Sequence, residues 1–223
     1  MREQRPDPDP ADWADPTATY DEVAPAYAEA FGDELADKPF DRALLDRVAA
    51  VLRIRASADA PVCDLGCGPG QIGAALVDRG LPVVGIDLSP GMVAQGRRSN
   101  PAVTFEQGDM TALPRPDGSF TGIVSFYAII HLPRSRVPTA LAEMHRTLVD
   151  GGELVLAVHQ GEGSLHADEM LGQAADLDAT LFSLEELSGL VEAAGFGVRE
   201  AHERPPYPTE ATTRLYVWAT RRP

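Results

Sequence analysis

The nine residues Val62-Cys63-Asp64-Leu65-Gly66-Cys67-Gly68-Pro69-Gly70 hold the densest chemistry of the chain: an acid, then glycine at three alternate positions. Glycine needs no Cβ clearance and tolerates positive φ. Gly66 lets a turn tighten there, and Gly68 and Gly70 let a ligand lie against bare backbone. A second acid, Asp87, follows 17 positions after Gly70. A carboxylate at that point can accept from both vicinal hydroxyls of a ribose. Its plain alternative is a helix cap, but Ser89-Pro90 already supplies a cap and a first-turn proline, which frees Asp87 for a ligand. The third candidate is His131, within Tyr127-Ala128-Ile129-Ile130-His131-Leu132-Pro133. It is the best-placed histidine, able to take a proton from a reacting group or to hold its own loop by ring hydrogen bonds. The glycine spacing admits two frames. Gly68, Gly70 and Gly73 satisfy the dinucleotide fingerprint G-x-G-x-x-G, but that frame leaves Asp64 and Gly66 unexplained. Acid-x-Gly-x-Gly-x-Gly fits the segment without remainder.

These residues need strands and helices to hold them. Pro61 to Leu65 reads as a short buried strand, and Gln71 to Arg79 as a helix stopped at Gly80. Pro82 to Asp87 reads as a second strand, Val103 to Glu106 as a third, Phe120 to Tyr127 as a fourth and Leu154 to Val158, ending in His159, as a fifth. Phe196 to Glu203 and the alternating Thr213 to Thr220 complete the set. Between them, Val137, Leu141, Met144 and Leu148 keep helical spacing, and Ser183-x-x-Glu186 has the capping-box pattern of a helix that stops at Gly195. Strands alternating with helices predict an α/β fold. Upstream, Phe40 to Leu52 reads as a helix that packs on the sheet. Thr19-x-x-Glu22 caps a helix through Tyr20, Val23, Tyr27 and Phe31, which Pro25 bends or splits. Residues 1–16, rich in Asp and Pro, read as a disordered tail ahead of a single domain over 17–223. Residues 160–180 are polar and poorly periodic, with a helix expected over 166–175. A segment of that length at a sheet's carboxyl end covers a site. A metal site built on its His166, Asp168 and Glu169 is less favoured than a solvated face.

The composition narrows the function. At 223 residues and 44% hydrophobic the chain suits one medium domain, and its net charge of -15 argues against nucleic acid and anionic membranes as partners. The two cysteines, Cys63 and Cys67, fall in a strand and in the glycine turn, as reduced, packed thiols. No apolar leader follows Met1 and no apolar run reaches the ~20 residues of a membrane span. A cytoplasmic monomer or homodimer is expected.

The acid-glycine run resembles motif I of the class I S-adenosylmethionine (SAM) dependent methyltransferases of small-molecule type, and YDEVAPAYAEAF resembles their N-terminal lid helix. The resemblance implies a Rossmann-like, mostly parallel sheet of seven strands, the last antiparallel between its neighbours. Helices cover both faces, and segments 17–53 and 160–180 form a lid. It implies SAM as cofactor, S-adenosylhomocysteine as its product, no metal, and methyl transfer to an O, N, S or C nucleophile. The resemblance puts Asp64, Gly66, Cys67, Gly68 and Gly70 around the methionine portion and Asp87 on the ribose. It also puts Leu88 and Met92 beside the adenine, Asp109 and Met110 at the adenine's polar edge, and Phe126 at the end of the fourth strand. Tyr20 faces the cofactor's methionine end, and Lys38 its carboxylate. Tyr27, His159, His166 and Tyr207 face the substrate, with Arg214 a further candidate. His131 is the candidate base or substrate-orienting residue. Amide-directed relatives carry Asn/Asp-Pro-Pro-Tyr after the fourth strand, where this chain reads Ser125-Phe126-Tyr127-Ala128. An NAD(P)-dependent oxidoreductase shares the turn and Asp87 but needs a Tyr-x-x-x-Lys, or similar, that the chain lacks. A non-catalytic SAM-binding protein, or a cyclase or decarboxylase on the same fold, would carry the same motifs.

Overall fold

The computed structural model describes residues 2–57 and 59–223. Its main sheet has seven strands. In chain order they are β2 (Val62–Leu65), β3 (Val83–Asp87), β4 (Thr104–Gln107), β5 (Phe120–Phe126), β6 (Leu148–His159), β9 (Phe196–Arg204) and β10 (Arg214–Arg221). A short β1 (Arg2–Arg5) and the hairpin β7 (Ser164–Met170) and β8 (Gln173–Thr180) form a separate three-stranded sheet. The helices are α1 (Thr17–Phe31), α2 (Pro39–Leu52), α3 (Gln71–Asp78), α4 (Pro90–Ser99), α5 (Val137–Thr147) and α6 (Leu184–Ala193).

The spatial order is β4-β3-β2-β5-β6-β10-β9. Strands β4 through β6 run parallel, and β10 is antiparallel to both its neighbours. The chain therefore winds outward from β2 in two directions. The gap between the carboxyl ends of β2 and β5 is the switch point where such sheets bind ligands. Every residue of β2 is buried because helices cover both faces, which is why its sequence is continuous rather than alternating. One face packs Leu45, Val48, Leu52 and Leu76 against Val62 and Val124; the other packs Leu141, Met144 and Val191 against Ile123, Leu154 and Val217. Each fully buried side chain of this size stabilises the fold by about 1.5–3 kcal/mol. β2 is thus fixed from above and below before any ligand interacts with its end.

Four expectations change. Thr19 is not a cap: α1 starts at Thr17 and its cap residue, Pro16, makes no side-chain bond. Instead Asp15 Oδ1 accepts from Thr17 N at 2.9 Å, and the buried Thr19 hydroxyl accepts from Asp176 N in β8. Pro25 leaves α1 continuous, at the cost of one hydrogen bond to the preceding turn. Residues 2–16, expected as a disordered tail, form a strap. β1 pairs antiparallel with β7, and Pro10–Asp12 makes a 3-10 turn. The helix expected over 166–175 is a β-hairpin. Leu171 (φ 53) and Gly172 (φ 78) make its two-residue turn between Met170 and Gln173. Positive φ at both central residues matches the strand twist, and a leucine in that position gives no turn signal in sequence.

Candidate cofactor and active site

The glycine turn has little freedom. Gly66 has φ 71, and a Cβ there would come within 2.1 Å of the Ala128 Cβ. Its N–H donates to the Ile86 carbonyl at 2.7 Å, which locks the turn onto β3. Gly68 has φ 52, and an added Cβ would meet only the Tyr27 ring edge at 3.9 Å, so its bare face opens on a ligand space. Gly70 differs from expectation. At φ 89 it precedes α3, and a Cβ would strike the Phe105 ring at 2.4 Å. It serves the turn and the packing, and it does not line the cavity.

Two carboxylates sit behind this turn. Asp64 is 2% exposed, and its Oδ2 accepts from Gly73 N at 2.7 Å. Burial raises its pKa to about 7, against the pull of the Gly73 bond, and neighbouring Asp87 adds to the rise. Asp87 accepts from Gly68 N at 2.7 Å and Ser89 N at 2.9 Å; burial raises it as well. Ser89 does cap α4, accepting from Met92 N at 3.0 Å, as the sequence implies. Asp87 nevertheless takes part in shaping both turns while one side faces the cavity. Burial also pushes both cysteine thiols up, so Cys63 and Cys67 are packed and unreactive.

A cavity of about 640 Å³ runs over the switch point, a size suited to a small-molecule ligand. On its β3–β4 side stand Asp87, Leu88, Met92, Asp109 and Met110; at its centre Asp64, Gly66, Cys67, Gly68, Tyr27 and Phe126; beyond them Tyr20, Lys38, His131 and His159. Asp109 spends one oxygen on Thr111, accepting from its N–H at 2.7 Å and its hydroxyl at 2.8 Å. Lys38 is paired with Glu34 and lies 5.7 Å from the Tyr127 ring centroid. Tyr127 itself has φ 56, a strained value for a bulky residue at the sheet's carboxyl end. Tyr27 packs edge-on against Tyr20, 6.1 Å between centroids.

His131 is held at both ring nitrogens. Nδ1 lies 3.0 Å from the Asp178 carbonyl oxygen and Nε2 lies 2.7 Å from the Tyr20 hydroxyl. A carbonyl only accepts, so Nδ1 carries the proton. In the neutral ring Nε2 then presents its lone pair to Tyr20. Trp13 of the strap donates its indole N–H to the His131 carbonyl at 2.9 Å. The Asp178 side chain, 2% exposed as a residue, accepts from Arg5 (2.5 Å), His166 (3.0 Å) and Ala14 N (3.2 Å). Asp178 thus ties strap, hairpin and His131 together.

Two expected substrate contacts lie elsewhere. His166 sits on the β7 face that turns from the cavity, where it meets Asp178, while its neighbours Leu165 and Ala167 line the space. Tyr207 stacks under the Arg204 guanidinium at 3.9 Å and accepts from Phe40 N, outside the cavity. Sequence reasoning missed Trp13, Arg136 and the apolar hairpin wall of Leu165, Ala167, Leu177 and Ala179. The alternation in Leu165-x-Ala167 and Leu177-x-Ala179 was the available signal. Among the described residues no cluster of three or more His, Cys, Asp or Glu could hold a metal, and no helix is long and apolar enough to cross a membrane.

The donor set on the β3–β4 side fits a nucleoside: acids for hydroxyls and an amine, apolar side chains for a ring, a bare glycine backbone between. Residues 62–152, which contain that whole half-site, match the family described as "Methyltransferase domain". Those residues form a methyltransferase domain of the class I SAM-dependent type. A demethylmenaquinone methyltransferase from Beutenbergia cavernae is 38% identical over 154 residues, 68% of this chain and 59% of that relative. The chain therefore spans a little over half the length of that relative. A SAM-dependent methyltransferase from Methanosarcina mazei superposes with a TM-score of 0.68 at 18% identity, over 77% of this chain and 97% of the other. A 1,6-didemethyltoxoflavin-N1-methyltransferase from Burkholderia thailandensis, solved with 1,6-didemethyltoxoflavin and S-adenosylhomocysteine, gives 0.64 at 22% identity, over 100% and 96%. At those identities the superpositions establish the methyltransferase fold.

Proposed function

We propose that this methyltransferase transfers the methyl group of SAM to a small-molecule acceptor, with His131 as proton acceptor. The observation that carries the reading is the juxtaposition, across one switch point, of the acid-lined half-site of β2–β4 and the Tyr20–His131 pair. Two named relatives that act on small molecules, the demethylmenaquinone and didemethyltoxoflavin enzymes, support it.

Asp87 accepts from the ribose hydroxyls, Asp109 and the Met110 backbone meet the adenine edge, and Leu88 and Met92 flank the ring. The turn at Gly66 to Gly68 and Lys38 hold the methionine end. SAM, when bound, supplies a methyl group on a cationic sulfur that is already electrophilic. What remains for the protein is alignment of the acceptor and exclusion of water. The strap, with Trp13 over His131, and the hairpin wall provide the exclusion. An acceptor hydroxyl or amine that loses a proton on methylation gives it to Nε2 of His131, directly or through the Tyr20 hydroxyl. The Nδ1–H bond to Asp178 keeps the ring in the tautomer that can take it.

Calorimetric titration with SAM, S-adenosylhomocysteine and NADH tests the reading. Micromolar binding of the first two with none of NADH is expected. Binding of NADH without SAM would overturn it.

A further inference from the structure

Asp87 and Asp109 stand on the β3 and β4 side of the switch point, so a cofactor that engages them occupies that side. The opposite side holds a cation that methyl transfer leaves unused. Arg214 opens β10, directly across from His159 at the end of β6. β10 lies three strands from β2, about 14 Å at the usual strand spacing. Arg214 is only 8% exposed, yet it lines the cavity, 5.3 Å from the Tyr127 ring centroid. Its Nη1 donates to the Thr212 carbonyl at 2.8 Å and to the Thr212 hydroxyl, but its buried Nε has no hydrogen-bond partner. The Glu210 carboxylate, 3.6 Å from Nε, forms an ion pair with it but is too far to accept a hydrogen bond. Glu210 is already taken by both Arg204 terminal nitrogens (2.8 and 2.9 Å) and by Tyr207 N (2.9 Å).

A guanidinium keeps its proton, and a buried one with unfilled donors is costly unless a ligand completes it. Planar oxyanions complete it best, because a carboxylate matches the arginine fork. Met170 packs against the Val23, Ala24 and Met92 cluster, while Leu165, Ala167, Leu177 and Ala179 of the hairpin form an apolar wall of the cavity that Arg214 also lines. Its other cation beside Tyr127, Lys38, is matched by Glu34. Of its acids, Asp15 is engaged by Thr17 N, and Glu169 is an exposed residue of the hairpin.

We propose that Arg214 anchors the acceptor: the methyl acceptor carries a carboxylate, bound by Arg214, on an apolar body that packs against the hairpin wall. This rests on the methyl-transfer reading, whose acceptor it specifies. The source of the carboxylate could instead be the cofactor's own amino-acid end, and the experiment separates the two.

The full chain, saturated with S-adenosylhomocysteine, is titrated calorimetrically with trans-cinnamate, indole-3-acetate and octanoate, each against its amide. The wild type, Arg214→Gln and Arg214→Lys are compared, with circular dichroism confirming the fold of each. At least one acid is expected to bind the wild type tenfold or more tighter than its amide. Arg214→Gln erases that preference, Arg214→Lys keeps part of it, and the affinity for S-adenosylhomocysteine stays within twofold. Equal binding of every acid and its amide, including no measurable binding of either, overturns the proposal, as does a preference that survives Arg214→Gln. Loss of S-adenosylhomocysteine binding in Arg214→Gln assigns the arginine to the cofactor and overturns it too. Failure of the wild type to bind S-adenosylhomocysteine instead rejects the methyl-transfer reading beneath it.

Discussion

Replacing Asp64 with asparagine isolates the cost of keeping a carboxylate behind the glycine turn. Asp64 titrates near 3.8 in an open chain and near 7 in the fold, because it is buried with only the Gly73 N–H to offset the loss of water. That displacement corresponds to about 4 kcal/mol. The folded pKa is raised, so the native state holds a proton that the unfolded state has released between the two values. The resulting stability is complete below the unfolded pKa and is lost as pH rises through 7. By linkage about 3 kcal/mol of it disappears between about pH 5 and 8.5. Asparagine never ionises, and its side-chain oxygen can accept from Gly73 N as Oδ2 does now at 2.7 Å. Asp41 is also raised by burial but remains in the variant and cancels in the difference; Asp87, raised mainly by burial, remains too and loses only the repulsion of its Asp64 neighbour, a smaller effect than burial. Urea unfolding of the cofactor-free proteins, followed by tryptophan fluorescence at both pH values, is the assay. The wild type should lose about 3 kcal/mol relative to Asp64→Asn over that interval, and the variant should be the more stable at the alkaline end. Parallel pH profiles, or a variant weaker at pH 8.5, would refute the reasoning: the carboxylate would then be compensated in the fold.

Asp87→Ala should weaken S-adenosylhomocysteine binding roughly 10- to 100-fold, the worth of a charged acceptor on two hydroxyls; an affinity within twofold of wild type on calorimetry would remove Asp87 from the site. His131→Gln should lower kcat by about 10²-fold or more and leave S-adenosylhomocysteine affinity nearly unchanged, with Tyr20→Phe milder because Nε2 survives; equal losses in rate and binding would mark His131 as structural. Arg5→Ala removes one partner of Asp178 and should cost only about 1 kcal/mol, since the arginine is partly solvated. Amide exchange at Gln4, Arg5 and their β7 partners should accelerate, and unchanged exchange would show that the strap does not depend on this contact. Gly66→Ala should destabilise by more than about 2 kcal/mol. Adding Ala128→Gly should recover the steric part, leaving about 1 kcal/mol for the positive φ; no recovery in thermal melts would locate the strain elsewhere.

The sequence by itself determined the main sheet and the acid-and-glycine side of the cavity. Asp64, Gly66, Gly68, Asp87 and Asp109 all lie at the ends of strands or in the turns that follow. Local chemistry fixes such places: glycine for positive φ, continuous apolar runs for strands covered on both faces, Ser89-Pro90 for a helix start. Local patterns survive translation into structure because their partners are a few residues away. Even there, packing reassigned Gly70, whose missing side chain makes room for Phe105, a residue 35 positions distant.

The Tyr20–His131 side of the cavity was shaped by tertiary contacts. Tyr20 meets His131 across 111 residues, Arg5 meets Asp178 across 173, and Trp13 meets His131 across 118. No periodicity in the chain encodes pairings of that range. Residues 2–16 look disordered alone because too little of their surface is apolar to repay ordering, and Arg2–Arg5 become a strand only when β7 offers an open edge. The hairpin faced the same test. Its alternating Leu165, Ala167, Leu177 and Ala179 can serve a strand only if one face finds an apolar space, and that space exists only once the strap, α1 and the switch point have come together.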